Sequence, residues 1–144
     1  MTRREHAAAE LRRKLAATGA APAAVDATVA RLQQEGWQSE ERFAESFLRS
    51  RIRRGESLQL ALLRARRQGV EEEALRQAVA ALEREVDAEA ACRRLIDKRD
   101  PEGRRFGDRR LWQRLLRYLC GKGYAMDVAR AALAARPAAN GEEE

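Results

Sequence analysis

The residues with the clearest capacity for binding chemistry in this sequence are arginines. In the stretch RFAESFLRSRIRRG, a helical rotation of about 100° per residue places Arg42, Arg49 and Arg53 along one side. The opposite side is apolar and includes Phe43 and Phe47, which we predict to be structural residues on an internal seam. The apolar side needs a protein core, whereas the arginine row needs water or a negatively charged partner.

Basic residues are concentrated in two segments of the chain. Residues 49–67 contain seven arginines against one acidic residue, and residues 93–122 contain eleven basic residues against four acidic ones. Such sets neutralise nucleic-acid phosphates or match acidic protein grooves, and charge alone does not choose between these partners. The alternative is that each arginine lies on a solvated helix face. The predicted contact residues are Arg42, Arg49, Arg53, Arg54, Arg64, Arg67, Arg104, Arg105, Arg109, Arg110, Arg114, Arg117 and Lys122.

Arg51 differs from its neighbours because it falls on the same side of the helix as Ala44 and Phe47. A charged residue there must extend its head group to water or pair with a carboxylate. We therefore predict a structural role for Arg51.

Residue patterns typical of catalysis are missing from the sequence. His6 is the only histidine, and Cys92 and Cys120 have no neighbouring ligands, so we predict a surface histidine and two core cysteines. There is no phosphate-binding loop, dinucleotide-binding glycine motif or pair of catalytic acids. We predict that four aromatic residues fill gaps between repeats, and the alternative is that they stack on bases. They are Trp37, Trp112, Tyr118 and Tyr124. We predict that the protein is not an enzyme and holds no metal or cofactor.

Composition narrows the class of protein. The formal charge of +6 and the pI near 10.1 favour an acidic partner. No segment alternates apolar and polar residues with a period of two, which predicts an all-α fold. No apolar run approaches the roughly 20 residues that span a membrane, and the first residues do not resemble a signal peptide. We expect a cytoplasmic monomer.

The chain repeats a helix pair that is closed by glycine. Gly19, Gly69 and Gly123 each follow a basic amphipathic segment and precede an apolar-periodic one, as glycine does at a helix C-cap. A further helix opens the second repeat, with Ser39 as its predicted N-cap. Tandem units of this kind predict an elongated, curved molecule, whose first repeat lacks its opening helix. The predicted divisions are repeat 1 at 1–36 with two helices, repeat 2 at 37–84 with three, repeat 3 at 85–137 with three and a longer loop near 100–108, and a flexible acidic tail at 138–144.

Three stretches resemble the RecX family, which regulates the bacterial recombinase RecA. They are AELRRKLAATG (9–19), EGWQSEERFAESFLRSRIRRG with the helix ending RRQGV (35–70), and RLLRYLCGKGY (114–124). The resemblance implies a protein without catalysis that lies in the helical groove of the RecA–DNA filament. It also implies suppression of RecA's ATP hydrolysis, strand exchange and coprotease activity. The excess of arginine alone is equally compatible with a sequence-independent module that binds single-stranded DNA without touching RecA.

Overall fold

The computed structural model describes residues 3–136, and all regular structure within them is helical. The predicted all-α class is therefore confirmed, while the predicted acidic tail at 138–144 lies outside the described residues. The α-helices are α1 (Arg3–Ala16), α2 (Pro22–Arg53), α3 (Leu58–Arg67), α4 (Glu72–Leu82), α5 (Ala88–Arg99), α6 (Arg109–Gly121) and α7 (Met126–Ala134), with a 3-10 helix (Arg104–Gly107) between α5 and α6.

Helix α2 runs without a break through the position where the sequence predicted a new helix to begin. Gly36 and Ser39 both lie inside it, so the prediction that Ser39 is an N-cap is wrong. One glycine in a helix interior costs only about 1 kcal/mol relative to alanine, and no proline follows it within α2. The helix-forming residues on either side therefore carry the helix through Gly36. The predicted division at 36/37 falls within α2, and the division into repeats stays a prediction.

The chain forms two compact units, Met1–Phe43 and Ala44–Glu144, and the boundary between them falls inside α2. In the first unit, Ala8 of α1 packs with Val25 and Val29 of α2. Half-buried leucines of α1 complete this small core. The elongated, curved outline of the whole molecule stays a prediction.

In the second unit, α5, α6 and α7 surround the main hydrophobic cluster. Its buried members are Cys92, Ile96, Leu115, Leu116, Leu119, Tyr124, Ala129, Ala132 and Leu133. Burial raises the pKa of the Cys92 thiol to about 11, so this residue is a protonated thiol at neutral pH and behaves as a small core residue. This cluster fixes one side of α6, and the opposite side of that helix faces solvent.

Gly123 makes a close backbone approach to the turn that precedes α3. Its φ is 94°, and its carbonyl oxygen accepts a hydrogen bond from Ser57 Oγ at 2.7 Å. The Ser57 N–H donates to the carbonyl oxygen of Lys122 at 2.8 Å. A Cβ at position 123 would overlap Ser57 Oγ and lie 2.5 Å from Leu60 Cβ. Only glycine fits this position, because both the backbone angle and the space exclude a side chain.

We expect Gly123→Ala to lower the free energy of unfolding by about 3 kcal/mol, since it adds overpacking to the cost of a left-handed backbone. Gly69→Ala is the matched control, because Gly69 has a φ of 82° but no atom within 4 Å of an added Cβ. It should cost only about 1–2 kcal/mol. Urea unfolding followed by helical circular dichroism measures both values. Equal losses in the two variants would show that the contact with Ser57 and Leu60 is unimportant.

Candidate functional site

The structure separates the predicted contact arginines into those that are paired within the fold and those that are not. Arg49 belongs to the first group. Its Nη2 lies 2.9 Å from Glu45 Oε1, and its Nη1 lies 2.7 Å from Glu85 Oε2. Hydrogen bonds to Glu85 and then Glu45 raise the pKa of Arg49, and the same contact lowers the pKa of Glu85. An anionic partner would have to displace two carboxylates to reach this guanidinium.

Arg51 and Arg64 share one carboxylate, that of the buried Glu56. Arg64 Nε lies 2.9 Å and Arg51 Nη1 lies 3.6 Å from Glu56 Oε1. The Arg51 guanidinium also lies over the ring of Phe47, 5.4 Å from its centroid. Arg51 thus contacts Glu56 and Phe47 within the fold, and Arg64 pairs with the same glutamate.

Phe43 lies outside the buried side of α2. Its relative exposure is 56%, whereas Ala44 and Leu48 are fully buried. The buried arc is centred on those two residues, and at about 100° per residue Phe43 falls beyond its edge. The prediction that Phe43 lies on an internal seam is therefore wrong, while Phe47 is half-buried.

Arg105 is buried, which contradicts its predicted role in partner contact. Its Nη1 lies 2.9 Å from Asp100 Oδ2, and the two side chains are 2% and 1% exposed. Its Nε donates to the carbonyl oxygen of Leu133 at 2.8 Å, and its Nη2 donates to that of Ala135 at 2.6 Å. The guanidinium is thereby used to satisfy carbonyls at the end of α7, which have no partner within the helix.

Asp100 organises the 3-10 turn that follows α5. Its Oδ1 accepts the Arg104 N–H at 2.8 Å, and its Oδ2 accepts the Arg105 N–H at 3.2 Å. Burial alone would raise the pKa of Asp100, but these backbone donors and the Arg105 guanidinium outweigh burial and lower it. The loop predicted near residues 100–108 is therefore held by a network of buried hydrogen bonds. Arg104 itself points outward, and among residues 3–136 its side chain pairs only with the exposed Glu102, at 3.2 Å.

A second group of predicted contact residues has no ion pair within residues 3–136. Its members are Arg42, Arg53, Arg54, Arg67, Arg109, Arg110, Arg114 and Arg117. All of them are exposed. Lys122 is intermediate between the two groups, because its Nζ donates to the carbonyl oxygen of Arg54 at 3.2 Å and lies 5.8 Å from the Tyr118 ring centroid.

Half of this unpaired group lies on α6. At about 100° per residue, the four arginines of α6 fall within an arc of about 140°, opposite the buried leucines of that helix. No acidic residue occurs in α6, and the carboxylate of Asp108 just before it caps the helix by accepting the Leu111 N–H at 3.1 Å. We name this surface the α6 arginine face, and its residues are Arg109, Arg110, Arg114 and Arg117.

The α6 arginine face presents four exposed guanidinium groups on one side of a helix. Unpaired guanidinium groups on a rigid helix bind phosphates or carboxylates without first breaking internal ion pairs. Among the described residues, no group of three or more His, Cys, Asp or Glu side chains is placed to hold a metal ion. None of the helices in that part of the chain is both long and apolar enough to span a membrane.

The chain is similar to a family model and to several regulatory proteins. The family model described as RecX, third three-helix domain, matches residues 85–133, which include the α6 arginine face. Regulatory protein RecX of Chromohalobacter salexigens is 35% identical over 136 residues, which cover 93% of this chain and 86% of the relative. The protein of the same name from Halorhodospira halophila is 36% identical over 140 residues, covering 94% and 82%. That from Mannheimia succiniciproducens is 29% identical over 125 residues, covering 86% and 80%. No solved structure matches the chain.

Proposed function

Because the chain belongs to the RecX family of regulatory proteins, we propose that it binds the RecA–DNA filament in its helical groove and inhibits RecA. The activities that it would suppress are ATP hydrolysis, strand exchange and coprotease activity. It would act in the cytoplasm, without catalysis and without a cofactor. Its relatives carry the name Regulatory protein RecX, which supports regulation as the general role.

The observation that best supports a filament as partner is the α6 arginine face. The filament combines nucleic-acid phosphates with protein surfaces, so it offers a repeating array of anions. Its four guanidinium groups have no ion pair within residues 3–136 and are available to such an array. The arginines paired by Glu45, Glu85, Glu56 and Asp100 contribute less, because their charge is already balanced within the fold.

Titrating this protein into RecA that is hydrolysing ATP on single-stranded DNA tests the proposal. We expect substoichiometric protein to lower the steady-state ATPase rate at low salt, because one molecule in the groove would contact several RecA protomers. Raising the salt concentration should weaken the inhibition, since phosphate contacts release counterions. An unchanged ATPase rate at saturating protein and low salt would rule out RecA inhibition.

A second candidate function rests on the same surface. The α6 arginine face would also suit a sequence-independent module that binds single-stranded DNA without contacting RecA. This module would inhibit RecA only by occupying DNA, so excess DNA should restore the full ATPase rate. A filament-binding regulator would instead remain inhibitory when DNA is in excess over RecA. Comparing the two DNA concentrations distinguishes the candidates.

A further inference from the structure

A groove with an aromatic wall lies beside the α6 arginine face. Its volume is about 510 Å³, and its lining includes Phe106, Asp108, Arg109, Trp112 and Gln113. Ligand pockets in proteins commonly measure roughly 300–1,000 Å³, so the groove has room for a small planar group. Arg109 belongs both to the groove and to the α6 arginine face, which makes the two surfaces continuous.

The aromatic wall is fixed in place by its surroundings. The rings of Phe106 and Trp112 meet edge to face, with centroids 5.9 Å apart and an interplanar angle of 73°. The guanidinium groups of Arg105 and Arg136 lie over the Phe106 ring, 4.5 Å and 4.4 Å from its centroid. Trp112 packs in part against the core cluster and remains partly exposed. A ring held in this way loses little conformational freedom when a ligand stacks on it.

The polar groups of the groove match a nucleotide. Gln113 offers an amide donor and acceptor, which suits the edge of a base. Arg109 and Arg110 begin α6, about one helical turn before Gln113, and carry unpaired charge for a phosphate. The Asp108 carboxylate also lines the groove, but its Oδ1 is already engaged by the Leu111 N–H. A cationic ligand is disfavoured because arginines surround the groove.

We propose that this groove binds one nucleotide of a single-stranded nucleic acid, with the base stacked on Trp112 and the phosphate held by Arg109 and Arg110. An acidic peptide would satisfy the arginines equally well, but it would leave the flat tryptophan surface and the amide of Gln113 without a use. The inference rests on the proposed function, since it assigns a specific nucleic-acid contact to the surface that would meet the filament. The other two guanidinium groups of the α6 arginine face, those of Arg114 and Arg117, would then follow the strand's backbone.

An abasic strand tests this proposal, because it keeps the phosphates and removes the bases. The chain has two tryptophans, so Trp37→Phe leaves Trp112 as the only indole fluorophore. We expect a 15-nucleotide oligo(dT) to quench the fluorescence of Trp112 in that variant. We also expect oligo(dT) to bind at least about fivefold more tightly than an abasic strand of equal length, from the usual contribution of one stacked base. No RecA is present, so this experiment and the ATPase titration fail independently.

Two further variants locate the preference for bases. Trp112→Phe should keep most of the ratio between oligo(dT) and abasic affinity, and Trp112→Leu should bring that ratio close to one while weak phosphate binding persists. Circular dichroism checks that both variants fold, and the ratio in the unmodified protein decides the question if they do not. Equal affinity for the two strands, with no quenching by oligo(dT), would overturn the proposal. Failure to bind either strand would overturn it as well. The partner of the α6 arginine face would then be an acidic protein surface.

Discussion

Arg105→Met is expected to lower the free energy of unfolding by about 3–5 kcal/mol, the usual cost of leaving one member of a buried ion pair without its partner. The Arg105 and Asp100 side chains are 2% and 1% exposed, so water cannot replace the lost guanidinium. The substitution also removes the donors to the carbonyl oxygens of Leu133 and Ala135. The packing of α5, α6 and α7 should therefore loosen at both the 3-10 turn and the end of α7.

Arg104→Met provides the matched control for this prediction. Arg104 is the preceding residue and has the same side chain, but its contact with Glu102 lies in solvent. Its replacement should change stability by no more than about 0.5 kcal/mol. Adding Asp100→Asn to Arg105→Met should recover part of the loss, because the buried charge is removed and an acceptor is kept. Urea unfolding of the four proteins measures these differences, and similar values for the two single variants would refute the structural role of Arg105.

The same network predicts how stability depends on pH. The pKa of Asp100 is lower in the folded protein than its ordinary value of 3.8, because the Arg105 N–H, the Arg105 guanidinium and the Arg104 N–H outweigh burial. A carboxyl group with a lowered folded pKa contributes stability above its unfolded pKa and loses it as the pH falls. The contribution of Asp100 should thus be complete above about pH 4 and decline in more acidic solution. In Asp100→Asn, this part of the acid sensitivity should disappear.

Periodicity in the sequence was sufficient to predict the helical class and the basic amphipathic segment before Gly123, which lies in α6. The leucines of α6 recur at helical spacing and its arginines fall between them, so one residue list defines both the buried and the exposed side. Periodicity did not show that the helix continues through Ser39, where a new helix was predicted to begin. Its N-cap signal competes with helix-forming neighbours on both sides, and the structure shows that the helix continues.

Local sequence could not distinguish the two adjacent arginines of the 3-10 turn. Arg104 and Arg105 are adjacent in the sequence, but one is exposed and the other is buried against carbonyls 28 and 30 residues further along the chain. The contact of Arg49 with Glu45 has the i,i+4 spacing that sequence reveals. Its contact with Glu85 spans 36 residues and depends on how the helices pack. The sequence therefore predicted that Arg49 is available to a partner, together with Arg42 and Arg53. In the structure, Arg49 is already paired with two glutamates.

The α6 arginine face is expected to carry most of the inhibitory activity. Arg110→Gln, Arg114→Gln and Arg117→Gln together remove three unpaired guanidinium groups from the exposed side of one helix. If each contributes about 1 kcal/mol through charge-assisted hydrogen bonds, filament binding should weaken roughly a hundredfold. Neutral glutamine keeps good helix propensity, so the fold should persist.

A matched triple variant isolates the effect of position from the effect of net charge. Arg66→Gln, Arg76→Gln and Arg93→Gln also remove three exposed arginines, but each of these is paired with a neighbouring glutamate. Both triple variants lower the formal charge from +6 to +3, because three positive charges are lost in each (6 − 3 = 3). Any difference between them must therefore come from where the arginines lie.

The RecA ATPase on single-stranded DNA, titrated with the unmodified protein and these two triple variants, tests the central claim most directly. We predict that the α6 variant needs roughly a hundredfold more protein for half-maximal inhibition. The paired-arginine control should stay within about threefold of the unmodified protein, because exposed ion pairs contribute little. Equal loss of inhibition in both variants, or full inhibition by the α6 variant, would contradict the assignment of filament binding to the α6 arginine face.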